Sequence, residues 1–563
     1  MVVTSKARSQ RAANVVWFLV GLCVLLNTTE AILVTVLLPD TSLSLSLQAS
    51  AIAPLGVFHD LRWLAVYNTS WATFALEFVA ILIVRGIITA LSISLAWPVG
   101  VDRPSAERIL ARAMAATAVS AVFLIPSTVL LFVLAVVPIS WLFIAAVPLA
   151  VAIVVILSPV AVEGQWWRRP IPLAGIGWVL GSFVAFSVGA VIVAQIPPIA
   201  AVFFSAGFGA LNALVWICLV RAIVTRPTET RVAPVVPLAL AALAAVVFIG
   251  SASGFSHATP RLLSSTSKSG VRQPEPAEDA TQNPVLAVSG YGSRWGGEAE
   301  HPFPGPFFEQ RFSYIGLGPE SSPIPYGKGA TVQSLSSLTG KFAAQVAALH
   351  RSTHRHVDVV AESEGELITE TYLIADPKAP VGTVVLLSPL VAPGQATYPR
   401  QGNGSGFVSR VASQVLSDAY SSVSPVDLSP SGAFVGSIDG DASSIRDELT
   451  CKVEGVRQFA ILPLADATAS RWVDSLALPS LVVPAFHGGL MSQSAIDRQV
   501  SHILEGRKVS GSAIWRFAET IVSSASSAWQ VPTGTFPGPQ SLNPSGPAHA
   551  RKCRTGSLGA SPR

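Results

Sequence analysis

Charged residues make up only 12% of the 563-residue chain, about half of the roughly 25% usual in soluble domains. That scarcity excludes a wholly soluble globular protein. A disordered chain is excluded as well, because half of the residues are hydrophobic and the mean hydropathy is +0.53. Cysteine is nearly absent. Cys23, Cys218, Cys451 and Cys553 fall in no C-x-x-C or zinc-ligand spacing, which argues against a disulfide framework and against a metal site. An excess of one charge sign is also lacking: 37 Lys and Arg face 33 Asp and Glu, with no basic stripe interleaved with aromatics, so nucleic acid is not an expected partner. No G-x-G-x-x-G or P-loop sits between a strand and a helix. Dinucleotide and nucleotide chemistry is therefore disfavoured, and no cofactor is expected.

What the chain does have is long apolar runs confined to residues 1–251. Seven stretches are long enough to cross about 30 Å of hydrocarbon: 14–38, 71–97, 112–136, 140–162, 171–195, 198–220 and 233–251. The first is too long for a cleavable signal peptide, and Asn27, Thr28, Thr29 and Glu30 make it too polar, so it is read as a span. An N-terminal all-α polytopic membrane bundle of about seven helices follows. Arginine and lysine cluster in alternate loops (Lys6, Arg8, Arg11; Arg103, Arg108, Arg112; Arg168, Arg169; Arg221, Arg226, Arg231), whereas the intervening loops carry only Arg62. The positive-inside bias puts the N-terminus in the cytoplasm, and an odd number of spans puts everything after residue 251 outside. Glu30, Glu77 and Arg85 are costly inside a bilayer; an interhelical ion pair is the expected use, in preference to a transport relay.

Residues 252–283 are rich in Ser, Pro and Ala and read as a flexible linker, and 536–563 read as a disordered tail. Between them, 284–535 alternate short apolar runs with longer helical patterns, the signature of an α/β domain.

Chemistry concentrates at Ala361-Glu362-Ser363-Glu364-Gly365, which follows the strand-like run Val357–Val360 and precedes a helical pattern that Pro377 prevents from continuing. Small residues two before and two after a serine permit a tight strand-to-helix turn that lifts the hydroxyl above the sheet. The same pentapeptide pattern around Ser187 lies inside an apolar span and cannot form such a turn. Glu362 and Glu364 are expected to turn toward solvent or the substrate entrance, since acids in a first helical turn are favoured by the dipole alone. Upstream, the run Val285–Val288 ends in Ser289-Gly290-Tyr291-Gly292. The N–H of Tyr291 (or Gly292), together with that of Glu364, is the candidate oxyanion hole. Downstream, strand-like runs end at Asp466 and at His487-Gly488-Gly489, the expected orienting acid and general base. His350, His354 and His356 lie before the strand that leads to Ser363 and read as a solvated helix end and loop, His502 falls on a late helix with no strand before it, and Asp439, Asp441 and Asp474 are weaker rivals to Asp466.

The order Ser363, Asp466, His487, each at a strand end, resembles the α/β-hydrolase superfamily of serine hydrolases, and the whole chain resembles its membrane-anchored bacterial members. The resemblance implies an eight-stranded, mostly parallel sheet entered near its third strand. It also implies an acyl-enzyme on Ser363, with His487 as base then acid and Asp466 holding the imidazole. The chain departs from the family pattern in having Ala361 for the usual Gly and no His-Gly pair in the oxyanion loop. Residues 391–430 fall where such folds insert a cap, in which Tyr398 and Phe407 are candidate acyl-pocket contacts. Tethering near a membrane favours a lipid or cell-envelope acyl ester as substrate. A hydrolase-like scaffold without catalysis and a transport-related bundle with an accessory domain are the other classes the sequence allows.

Overall fold

The computed structural model describes residues 2–38, 41–163, 172–225, 283–298, 303–390, 406–421, 432–438, 453–469, 478–509 and 511–533. The N-terminal part is a helical bundle: α1 (Val2–Leu37), α2 (Ala53–Tyr67), α3 (Trp71–Ala96), α4 (Ala106–Val136), α5 (Ser140–Leu157), α6 (Leu173–Val193) and α7 (Pro198–Val224). All but α2 contain a segment long and apolar enough to cross a membrane, which makes six spans among the described residues. The expected seventh, 233–251, lies outside them.

The segment between the first two spans is not a surface loop. A 3₁₀ turn, Leu43–Gln48, is buried among the spans and α2 returns from it toward the membrane surface. Non-helical backbone at such depth needs internal partners, and polar side chains supply them. Asn27 Nδ2 and Asn212 Nδ2 donate to the Leu47 carbonyl at 3.0 and 2.9 Å, and Trp216 Nε1 donates to the Ser50 carbonyl at 3.1 Å. Arg62, expected as the lone cation of an outer loop, is fully buried on α2. The expected ionic fixing of the bundle takes a form that runs through α2: Arg85 Nε donates to Asp60 Oδ2 at 2.7 Å, and Glu30 meets His59 Nε2 at 2.8 Å. Glu77, partly exposed on α3, stands outside this network.

The C-terminal part is an α/β domain. Its strands are β1 (Asn283–Val288), β2 (Phe307–Arg311), β3 (Val357–Glu362), β4 (Val381–Leu387), β5 (Arg457–Pro463) and β6 (Ser480–Val483). They form one sheet in the order β2-β1-β3-β4-β5-β6 with every pairing parallel. The period-2 alternation of β3 shows why both faces are covered. Val357, Val359 and Ala361 pack toward α8 (Leu335–Thr353) and α9 (Glu364–Ala375), while Val360 packs with Val385, Ile461 and the apolar face of α11 (Ser494–Leu504). Two further helices, α10 (Phe407–Ser421) and α12 (Ala513–Ser526), pack against the membrane bundle. After β2 the chain returns across β1 to lay down β3, so the strand order reverses between β1 and β3. Open α/β sheets bind ligands at such a reversal, outside the carboxyl ends of the strands.

Candidate active site

Ser363 follows β3 at that reversal. Its backbone is at φ 54°, ψ −115°, a left-handed conformation that costs an L-residue about 1–3 kcal/mol. Close packing enforces it. A Cβ on Gly365 would lie 2.7 Å from Val288 Cγ1 and from the Val288 carbonyl, so α9 can begin against β1 only with glycine there. A Cβ on Gly290, in the turn after β1, would lie 3.0 Å from Ser363 Cβ. The small-residue requirement read from the sequence is met at Gly365 by steric contact, and at Ala361 by complete burial.

Ser363, His487 and Asp466, 124 and 21 residues apart in turn, come together. Ser363 Oγ lies 2.8 Å from His487 Nε2, and His487 Nδ1 lies 2.9 Å from Asp466 Oδ2. An ionised carboxylate only accepts, so Nδ1 carries the proton and Nε2 accepts from the serine hydroxyl. The loops holding the acid and the imidazole are joined by the Ala465 N–H, which donates to the Ala485 carbonyl at 3.1 Å. Beyond His487, Gly488 and Gly489 take φ of 82° and 71° and turn the chain back, so that the Leu490 N–H reaches Glu362 Oε1 at 2.5 Å. Burial alone would push the His487 imidazole down; the Asp466 charge and hydrogen bond, with Glu362 adding, outweigh it and hold the imidazole above its ordinary value.

The two glutamates beside Ser363 depart from the orientation expected of them. Glu362 and Glu364 do not face solvent; both are buried, Glu364 completely. They flank a serine at the centre of a sheet covered on both faces, so a side chain on either side of it is directed into protein. Burial raises the Glu362 carboxyl, opposed by the Leu490 N–H and the neighbouring His487 and Arg311. Burial raises the Glu364 carboxyl well above its ordinary value, the Tyr314 hydroxyl opposing only in part, which favours the neutral acid beside Ser363.

Of the two upstream donors considered, the Gly292 N–H is engaged by Thr331 Oγ1 at 2.9 Å. Tyr291 stacks on Phe434, ring centroids 5.2 Å apart, and stands next to the Gly290 that touches Ser363. Tyr314 donates its hydroxyl to the Ser289 carbonyl and Arg311 donates to Ser289 Oγ, tying down the turn after β1 from below. Neither tether was legible in the sequence, because both side chains come from the segment after β2, where no motif marks them. Phe407 begins α10 and meets Trp71 edge-on at 6.1 Å, on the membrane bundle. Tyr398, Asp439, Asp441 and Asp474 lie outside the described residues.

Ser187, whose flanking residues fit the same pentapeptide pattern, sits within α6, where its Oγ donates to the Phe183 carbonyl at 3.0 Å and accepts from Trp529 Nε1 at 2.9 Å. Compared with known families, curated proteins and solved structures, the chain matches none.

Proposed function

We propose that the α/β domain is a serine hydrolase of the α/β-hydrolase type, tethered by its own membrane bundle and acting on ester bonds. The observation that carries this is the continuous hydrogen-bond chain from Ser363 Oγ through His487 to Asp466, set on a strained turn at the sheet's reversal point. The strand order supports the same reading: among the described residues it matches the parallel portion of the implied eight-stranded sheet, from its third strand onward.

In this reading His487 Nε2 takes the Ser363 proton as the oxygen attacks the ester carbonyl. The imidazolium then returns that proton to the departing alkoxide as the alcohol leaves, and the acyl group remains on Ser363 Oγ. Water, deprotonated by His487, attacks the acyl-enzyme, and the proton goes back to Ser363 as the acid is released. Asp466 keeps the hydrogen bond to His487 Nδ1 throughout and stabilises the imidazolium. The N–H of Glu364, at the positive end of α9, and that of Tyr291 are the proposed donors to the oxyanion. Each such donor is worth about 3–4 kcal/mol at the transition state.

The N-terminus is proposed to be cytoplasmic and the α/β domain external. The domain packs against the face where α2 ends and α3 begins, through Asn68, Phe407 and Val408, and that face lies opposite the arginine-bearing loops. On this proposal a seventh crossing between α7 and β1 joins the two sides.

The test is labelling of the full chain in membranes by a fluorophosphonate, with hydrolysis of short-chain esters measured alongside. Wild type is expected to label and turn over, and Ser363→Ala to do neither. Undiminished labelling of Ser363→Ala would remove Ser363 as the nucleophile, and an unlabelled wild type would favour the scaffold.

A further inference from the structure

We propose that α12 is an interfacial helix lying in the leaflet beneath the α/β domain. With Phe486 it would form an apolar lip through which a bilayer-resident acyl ester reaches Ser363 sideways from the membrane. The substrate part of this proposal rests on the hydrolase reading; the immersion of α12 does not.

Helix α12 packs along α6, a candidate membrane span. Just past its end, Trp529 stacks on Phe183 with ring centroids 4.1 Å apart and donates to Ser187. Ser187 and Phe183 lie six and ten residues before Val193, the domain-side end of α6. At 1.5 Å per residue that is about 9 and 15 Å into the span, which is the depth of acyl chains. The chain that follows the α/β domain therefore descends into the membrane alongside α6.

One face of α12 packs on β6, on the 3₁₀ turn that carries Asp466, and on α6. The other presents Ile514, Phe517 and Ile521, at 70%, 69% and 39% exposure and at i, i+3 and i+7 spacing, which places them in one stripe. In water such a stripe would leave three large apolar side chains of one helix face exposed to solvent. Beside a lipid-facing span, whose Val184 and Val188 are comparably exposed, its natural occupant is the acyl-chain region of the bilayer. Phe486 is half-exposed in the loop leaving β6, adjacent in sequence to His487. The His487 imidazole thus sits one residue from an exposed apolar side chain, in the loop that leaves a strand on which α12 packs. An ester with its chain in the leaflet would gain apolar contact along this route, which a water-soluble ester does not need.

The experiment uses the full chain in phosphatidylcholine nanodiscs, with the four cysteines replaced by serine and a single environment-sensitive fluorophore on Phe517→Cys. A second sample carries the label on Lys378→Cys, on the exposed turn before β4. Quenching of position 517 by doxyl-labelled lipid but not by iodide, with the reverse at 378, is expected. Iodide quenching at 517 equal to that at 378 would overturn the immersion.

The companion variant, Ile514→Ser with Phe517→Ser and Ile521→Ser, is expected to keep fluorophosphonate labelling and short-chain ester hydrolysis. It should lose at least about tenfold in hydrolysis of a long-chain ester carried in the same bilayer. Equal loss on both esters, or none on either, would overturn lateral entry. Phe517→Ser alone gives the same comparison if the triple variant does not accumulate. A wild type that neither labels nor hydrolyses would sink the hydrolase reading, with the quenching result still deciding where α12 lies.

Discussion

Arg62 Nη1 donates to the carbonyl oxygen of Gln530 at 3.0 Å, across 468 residues of chain. The same nitrogen donates to the Ala528 carbonyl at 2.7 Å, and Gln48 Nε2 reaches that carbonyl from the buried 3₁₀ turn. The clamped segment in turn holds the loop of the candidate acid: Gln530 Nε2 donates to the Thr468 carbonyl at 3.0 Å, and Ser526 Oγ to the Ala467 carbonyl. A cation buried in the bundle is thus linked, through one short stretch of chain, to the turn carrying Asp466. Hydrogen bonds from a charged donor are worth about 1.5–3 kcal/mol each, and both carbonyls would be left without that donor. Arg62→Met is therefore expected to loosen the acid loop and slow turnover of a soluble ester by about tenfold or more. Ser44 Oγ and Ser527 Oγ, 2.9 Å apart, offer an independent readout. A disulfide between cysteines at 44 and 527 should form readily in the parent and slowly with Arg62→Met. Unaltered turnover and cross-linking in that variant would show that the clamp does not position the loop.

The His487 imidazole must be neutral to accept the Ser363 proton, and its surroundings hold it above the usual histidine value of 6.5. The acid limb of kcat/KM is accordingly expected to fall above that value in wild type. Asp466→Asn removes the largest opposing charge and the hydrogen bond that fixes the tautomer. It should cut kcat by about 10³–10⁴ and move the limb downward. Glu362→Gln should move the limb in the same direction with a much smaller loss of rate, because its carboxylate acts on the imidazole only through space. Stability follows the same sign. A histidine raised in the fold stabilises below its unfolded pKa and loses that contribution as pH rises through the folded one. A limb that does not respond to either substitution would contradict this assignment of the base.

The three candidate side chains Ser363, Asp466 and His487 can be picked out in order because each follows an apolar, strand-like run, where composition reveals the strand. The six described spans are legible through length alone. The path of 41–70 was not: a 15-residue α2 is too short to register as a span, and the polar partners of the turn before it, Asn27, Asn212 and Trp216, lie on other helices. The burial of Glu362 and Glu364 was hidden for a related reason. First-turn acids are ordinarily explained by the helix dipole, and only the packing of both sheet faces shows that no solvent is within reach of these two. The docking of α12 and Trp529 on α6 depends on contacts more than 300 residues apart, which no local pattern encodes.

Glu364 offers a stability test free of catalysis. Its carboxyl is buried and raised well above 4.5, so the folded chain binds a proton there that the unfolded chain releases once pH passes that value. Stability should then decline as pH rises above about 5, because the native state holds more protons than the unfolded one. Glu364→Gln keeps the shape and the neutrality, and is expected to retain esterase activity and flatten that decline. The two chains should be nearly equally stable near about pH 5, with the variant gaining as pH rises through the neutral and alkaline range. Thermal unfolding followed across that range decides it. A variant that loses stability on the alkaline side would mean that the native carboxyl is ionised and paired.

Gly365 is the residue on which the strained turn depends. Any side chain there meets Val288 at 2.7 Å, and the obstruction includes backbone, which cannot swing aside. Gly365→Ala must push α9 away from β1, and overpacking of this kind costs about 1–3 kcal/mol. That displacement would carry Ser363 away from His487 Nε2, so loss of activity should exceed the loss of stability. At Gly290, where a Cβ would stand 3.0 Å from Ser363 Cβ, alanine is expected to slow the reaction with little effect on unfolding. Turnover and denaturation midpoints of the two variants, measured side by side, separate the roles. Wild-type turnover in Gly365→Ala would show that α9 tolerates the shift and that the serine is not held by this contact.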